Sequence, residues 1–189
     1  MHLFLLLMVT SLLCLGLQFE PLASLTNWQR FSILDGQWWR ILSGNFTHTN
    51  FAHLGMNLAG LWVIAFIFKP TYKALLALLV LTSLSIGGLN FFTEMNGYVG
   101  LSGVLHGLFA YFALQESLTG RKSSWLLVIG VVAKVLWEMT IGASASTSEL
   151  INARVAVEAH LFGMLSGLVC AVISVVIQSQ RRQQSQTQE

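Results

Sequence analysis

Six apolar runs divide this chain, and its polar residues fall mostly between them. The runs cover about residues 2–17, 51–68, 74–92, 101–117, 124–141 and 155–177. A helix needs about 20 apolar residues to cross the hydrocarbon core of a bilayer. Each run therefore predicts a spanning helix, the first of them short. Run one lacks a Lys/Arg-rich start, and no small-x-small cleavage site follows before Glu20-Pro21. It is expected to stay as a span and not to act as a secretory signal. The stretch from Gln18 to Asn50 is long and carries Trp28, Trp38 and Trp39. Tryptophan at that density predicts a loop lying in the membrane-water interface. Lys69-Pro70-Thr71-Tyr72-Lys73 and Arg121-Lys122 mark turns, and no internal repeat is visible. The Gln/Ser-rich segment 179–189 is expected to be disordered, leaving residues 1–178 as one membrane domain.

Composition agrees with the pattern. The chain has 189 residues, of which 54% are hydrophobic and 10% charged. A soluble domain carries about 25% charged residues, so the fold class is an all-α membrane protein with the lipid bilayer as its partner. Cys14 and Cys170 both lie in apolar runs and read as packing residues. No basic stripe points to nucleic acid. Lys69, Lys73, Arg121, Lys122, Arg181 and Arg182 fall on one side of the six-span arrangement, and Arg30, Arg40 and Arg154 on the other. The excess of basic residues marks the cytoplasmic side, which puts both termini in the cytoplasm. Runs two, four and six then begin at the outer face.

Those three starts hold the residues that change the picture. Run four opens with Gly100-Leu101-Ser102-Gly103-Val104-Leu105-His106-Gly107. Polar groups inside a membrane are costly and mark functional sites by default, although a lone serine in an apolar helix often only bonds its own i−4 carbonyl. Run two opens with His48, His53 and Asn57; the last two are four apart and share a helix face. A polar clasp between helices is the plainer reading of that pair. Run six opens with His160 and carries Gly163 and Gly167, spaced like Gly103 and Gly107 of run four. Such faces let two helix backbones approach closely, which would bring Ser102 and His160 together. A neutral imidazole hydrogen-bonded to a serine can activate it as a nucleophile. His53, Asn57 and the backbone amides around Gly100 and Leu101 are candidate donors to an oxyanion. Glu158, two residues from His160, points away around the helix and is not expected to orient it. The string is not GxSxG and follows no strand, which argues against a soluble α/β-hydrolase.

Taken together, these motifs resemble the rhomboid family of intramembrane serine proteases. Trp39-Arg40, the His48/His53/Asn57 spacing, Gly100-Leu101-Ser102-Gly103 and Ala159-His160 with Gly163 and Gly167 follow the family's order. The resemblance implies a six-helix rhomboid-like bundle with a membrane-embedded first loop. It also implies Ser102 as nucleophile, His160 as general base and acid, and His53, Asn57 and the Ser102 amide around the oxyanion. His48, Arg40, His106 and the glycines 103, 163 and 167 would support them, with no metal and no cofactor. Gln37 stands where many members have a Glu, which removes an ion pair with Arg40. His106 stands where typical members have a tyrosine, and is expected to pack against or tune His160. The compact body and the GLSGVLHG string resemble the rhombosortase branch. That branch implies transmembrane substrates with a C-terminal Gly-Gly motif and basic tail, cleaved at the outer face of a bacterial inner membrane.

Three other readings remain open at the sequence level. His53, His106 and His160 could ligate zinc in a membrane hydrolase, but no HExxH is present. A non-catalytic relative would bind clients, yet both Ser102 and His160 are retained. A transporter would show repeats or paired broken helices. Lys134 and Glu138, an i,i+4 pair inside run five, read first as an internal salt bridge and second as a polar face on a substrate route.

Overall fold

The computed structural model describes residues 1–186. Six long helices dominate: α1 (His2–Gly16), α2 (Phe51–Phe68), α3 (Tyr72–Leu89), α4 (Ser102–Leu118), α5 (Trp125–Ile141) and α6 (Val157–Gln186). Four stretches are long and apolar enough to cross a membrane among the described residues: Phe51–Phe68, Tyr72–Phe92, Lys122–Ile141 and Val157–Ser185. The other two long helices fall short by that measure for different reasons. α1 has only 15 residues, whereas α4 has 17 and carries Ser102, His106, Gln115 and Glu116. α4 tolerates those polar residues because it is the central helix, with Val104, Leu108, Ala110, Phe112 and Ala113 buried by its neighbours. The outer helices show the opposite pattern, exposing Phe66, Leu126, Ile129, Val172 and Ile173. Large apolar side chains turned outward along whole helices are what a lipid-facing surface requires.

Helix ends follow local chemistry. Asn50 caps α2 by accepting the His53 amide at 2.8 Å, and Thr71 caps α3 by accepting the Ala74 amide at 3.2 Å. Side-chain oxygens at these positions satisfy donors that the first turn leaves unpaired. Lys69 closes α2 in the left-handed region, and the next residue, Pro70, cannot extend it.

The tightest contact in the bundle is α4 against α6. A Cβ placed on Gly163 would fall inside the van der Waals shell of the Gly103 carbonyl, and one on Gly167 inside that of Gly107. Conversely, a Cβ on Gly103 would meet the Ala159 carbonyl oxygen at 2.7 Å. The two glycine faces thus lie directly against each other, and the starts of both helices come to the same level.

Loop one differs from its expected place in two respects. Trp38 and Trp39 are exposed, but Trp28 is fully buried and donates from Nε1 to the Gly87 carbonyl at 2.9 Å. Its ring packs edge-on to Phe91, so it anchors the loop on α3 and is no interfacial residue. Bare glycine at 44 makes this possible, since a Cβ there would meet Trp28 Cβ at 2.6 Å. Arg30 completes the anchor by donating to the carbonyls of Asn90, Phe91, Thr93 and Met95. The second difference is a short antiparallel ladder, β1 (Trp28–Gln29) with β2 (Gly97–Tyr98), pairing Trp28 with Tyr98.

At the other end of the chain α6 continues to Gln186. Residues 179–186, expected to be disordered, are therefore helical. Extending an existing helix avoids the cost of nucleating one, and Gln and Arg are good helix formers. The remainder of that expected tail, residues 187–189, lies outside the described residues.

Candidate active site

Ser102 occupies the first turn of α4, directly after Gly100 and Leu101. Gly100 adopts φ +122°, a conformation that side chains rarely take. A Cβ there would also strike His53, at 2.7 Å from Cε1 and 2.8 Å from Nε2. Glycine at 100 therefore lets the chain turn into α4 while the His53 ring sits against it. Leu101 is fully buried and accepts the Leu105 amide, and Tyr98 lies beneath with its hydroxyl 2.6 Å from the Gly100 carbonyl. The turn is thus held from three sides.

The Ser102 hydroxyl does not bond back to its own helix. Its Oγ lies 2.9 Å from Nε2 of His160, on α6. The other ring nitrogen, Nδ1, lies 2.8 Å from Oε2 of Glu138, on α5. A carboxylate only accepts, and Glu138 Oε1 already accepts from Lys134 Nζ at 2.6 Å. The proton of a neutral His160 therefore sits on Nδ1, which leaves the Nε2 lone pair facing the Ser102 hydroxyl. His106 packs flat on this ring, with centroids 4.1 Å apart and planes 19° from parallel. Its Nδ1 donates to the Ser102 carbonyl at 2.8 Å, and since a carbonyl cannot donate, the proton is fixed on Nδ1 here as well. Both nitrogens of the His160 ring and one of the His106 ring are thereby committed.

Around the serine, Asn57 Nδ2 is buried and has no hydrogen-bond partner. His53 is buried beside it, its Nδ1 3.1 Å from Thr49 Oγ1. Thr49 in turn donates to the Ile151 carbonyl at 2.7 Å, tying the start of α2 to the short helix Ala145–Ile151. His48 packs edge-on against His53 with centroids 5.0 Å apart. Burial, and secondarily the neighbouring His53, pushes the His48 imidazole down to about 3, so it stays neutral at ordinary pH. The first-turn amides of α4 have no intrahelical acceptor and mark the positive end of its dipole. A cavity of about 530 Å³ opens onto this group, lined among others by Ser102, His53, Thr49, Tyr98, Gly97 and Ala156.

The remaining expected residues lie further out. Arg40 is buried and donates to Gln37 Oε1 at 2.7 Å, to the carbonyls of Ser24 and Asn27, and to Asn27 Oδ1. Gln37 thus supplies the neutral acceptor that keeps the arginine in place without an ion pair. Glu158 pairs with Arg154, away from His160. Of the three histidines weighed as zinc ligands, His53 is not grouped with the others. Among the described residues the ligand atoms that all lie within 4.8 Å of one another belong to His106, Glu138 and His160. Both nitrogens of His160 are already engaged, Nε2 with Ser102 and Nδ1 with Glu138, and His106 Nδ1 is engaged with the Ser102 carbonyl.

Sequence reasoning missed Glu138 as a neighbour of His160, placed Trp28 at the interface, and missed Tyr98 and Thr49. The signal for Glu138 was present, as one of two charges inside an apolar run. Tyr98 and Thr49 left none, because both lie between the apolar runs, where a polar side chain is ordinary.

Comparison with known proteins places this site in context. The family described as Rhomboid domain matches residues 35–176. The chain is 28% identical over 155 residues to YdcA of Bacillus subtilis (strain 168), which carries a provisional rhomboid protease designation; the match covers 76% of this chain and 70% of that one. It is 27% identical over 141 residues to the rhomboid protease GluP of the same organism, covering 74% of this chain and 26% of GluP.

Proposed function

Because this chain belongs to the rhomboid family of intramembrane serine proteases, we propose that Ser102 and His160 form its catalytic dyad, cleaving transmembrane protein substrates. The observation that carries the reading is the 2.9 Å contact between Ser102 Oγ and the Nε2 lone pair of His160. In this mechanism His160 takes the hydroxyl proton as Oγ bonds to the scissile carbonyl carbon. The carbonyl electron pair moves onto oxygen, where the Asn57 amide, His53 and the Ser102 backbone amide meet it. Such donors act where charge develops and are already in place when it does. His160 then returns the proton to the leaving amine, and a water entering through the outer cavity hydrolyses the acyl-enzyme by the same proton transfers in reverse.

The six long helices are proposed to cross the membrane six times as one domain spanning residues 1–178. Both termini would be cytoplasmic, and the site would open to the outer side of a bacterial inner membrane. The distribution of basic residues supports that orientation. A rhombosortase-like substrate, with a C-terminal Gly-Gly motif, a transmembrane helix and a basic tail, is supported by the resemblance of the GLSGVLHG string around Ser102. The test is a secreted reporter carrying such a C-terminal signal, expressed with the wild-type chain or with Ser102→Ala. Release with wild type alone is expected. Equal release after both glycines are changed to leucine would remove the Gly-Gly reading and leave the protease reading standing.

A further inference from the structure

We infer that Glu138 is the third member of the catalytic array, a positioning residue that turns the Ser102–His160 dyad into a Ser-His-Glu triad. The inference rests on the dyad reading and extends it to a third helix. Three observations carry it. Glu138 Oε2 lies 2.8 Å from His160 Nδ1 while Nε2 of the same ring faces Ser102 at 2.9 Å. Glu138 comes from α5, while Ser102 and His160 come from α4 and α6, so three packed helices meet at one imidazole. Lastly, Lys134 donates to the other carboxylate oxygen at 2.6 Å, which leaves Oε2 to His160.

The chemistry follows the logic of a buried carboxylate behind a catalytic histidine. Such a group sets the tautomer, holds the ring in line with the nucleophile and stabilises the imidazolium, without itself taking the proton. Here the Ser102 proton moves to Nε2, the Nδ1 proton stays on nitrogen, and the positive charge on the ring lies against the Glu138 carboxylate. The other groups facing the ring cannot substitute. His106 on α4 is stacked on its face, and Lys134 carries the wrong sign. Glu158 on α6 is drawn off by Arg154.

The competing account gives Glu138 only one task, the ion pair with Lys134 that closes α5 against itself. A pair whose lysine is half exposed contributes little stability, so the two accounts separate cleanly. The full chain in detergent micelles is reacted with a fluorophosphonate, and the maximal inactivation rate is measured apart from the half-saturating concentration. Glu138→Gln keeps shape but lets an amide donate to Nδ1 and impose the wrong tautomer. It is expected to lower the maximal rate by about 10²–10⁴-fold, with half-saturation within about threefold of wild type. Glu138→Asp is expected to recover at least about tenfold of that loss, and Lys134→Met to lose less than about tenfold.

A Glu138→Gln rate within threefold of wild type would overturn the inference, as would equal losses in Glu138→Gln and Lys134→Met. Should Glu138→Gln fail to fold, proton NMR of the wild type decides. A downfield hydrogen-bonded Nδ1 proton that vanishes in His160→Ala supports the triad, and its absence from wild type overturns it. Failure of the underlying reading looks different, because Ser102→Ala or His160→Ala would then still react.

Discussion

Asn57 holds a buried amide nitrogen with nothing to donate to. A buried donor left unpaired is costly, and the expense makes sense if a substrate oxygen fills the position when it becomes charged. Asn57→Ala is therefore expected to reduce kcat by about 10²–10³-fold with little change in KM, the cost of losing one oxyanion donor. Steady-state cleavage of a detergent-solubilised substrate measures it, and an unchanged kcat would remove Asn57 from the oxyanion site. At this scale the sequence was informative wherever polarity broke an apolar run. Ser102, His160, His53 and Asn57 all stood out that way, and the structure brings the first two into hydrogen-bond contact. Glu138 stood out too, but its partner could not be named. The i,i+4 spacing to Lys134 is fixed within one helix, whereas the contact with His160 depends on how α5 is rotated against α6.

Among the helices, the glycine faces of α4 and α6 determine the approach of Ser102 to His160. Gly163→Ala puts a methyl group into the Gly103 backbone, and no flexible side chain is there to yield. Overpacking of this kind costs about 1–3 kcal/mol, so the variant should melt at lower temperature and lose activity together. Gly55→Ala is the control, since a Cβ there meets nothing within 4 Å. Its melting temperature in detergent should match or exceed wild type. Both helices and their glycine spacing were legible from the sequence, because a helix fixes which residues share a face. The two-residue β1–β2 ladder was not legible, since nothing in Trp28-Gln29 or Gly97-Tyr98 announces a partner about 70 positions away. Loop one carries the same lesson. Tryptophan density suggested an interface, but burial of Trp28 depends on the space left at Gly44 and on the Gly87 carbonyl its indole reaches, which only the packed structure places against it.

For the whole molecule, stability and pH are linked through His48. The folded protein holds this imidazole near 3 by burial and by the adjacent His53, while an unfolded histidine titrates near 6.5. Between these values the unfolded chain binds a proton that the folded chain refuses, so stability falls as pH drops from about 6.5 towards 3. His48→Asn should flatten that acid limb in tryptophan-fluorescence melts of the solubilised protein; an equally steep limb would show that other groups cause it. The bundle as a whole followed from hydropathy and spacing. Its central helix is the one whose role hydropathy understates, because α4 is surrounded by protein and has no need to be apolar throughout. The continuation of α6 to Gln186 went unseen because composition alone does not reveal a helix already under way.

The central claim is that Ser102 is an activated nucleophile dependent on His160. Fluorophosphonate labelling of the purified chain tests it most directly, with wild type beside Ser102→Ala and His160→Ala, all confirmed folded by thermal melting. Labelling of wild type alone is the predicted result. Labelling that persists in Ser102→Ala, or a folded wild type that never reacts, would contradict the claim.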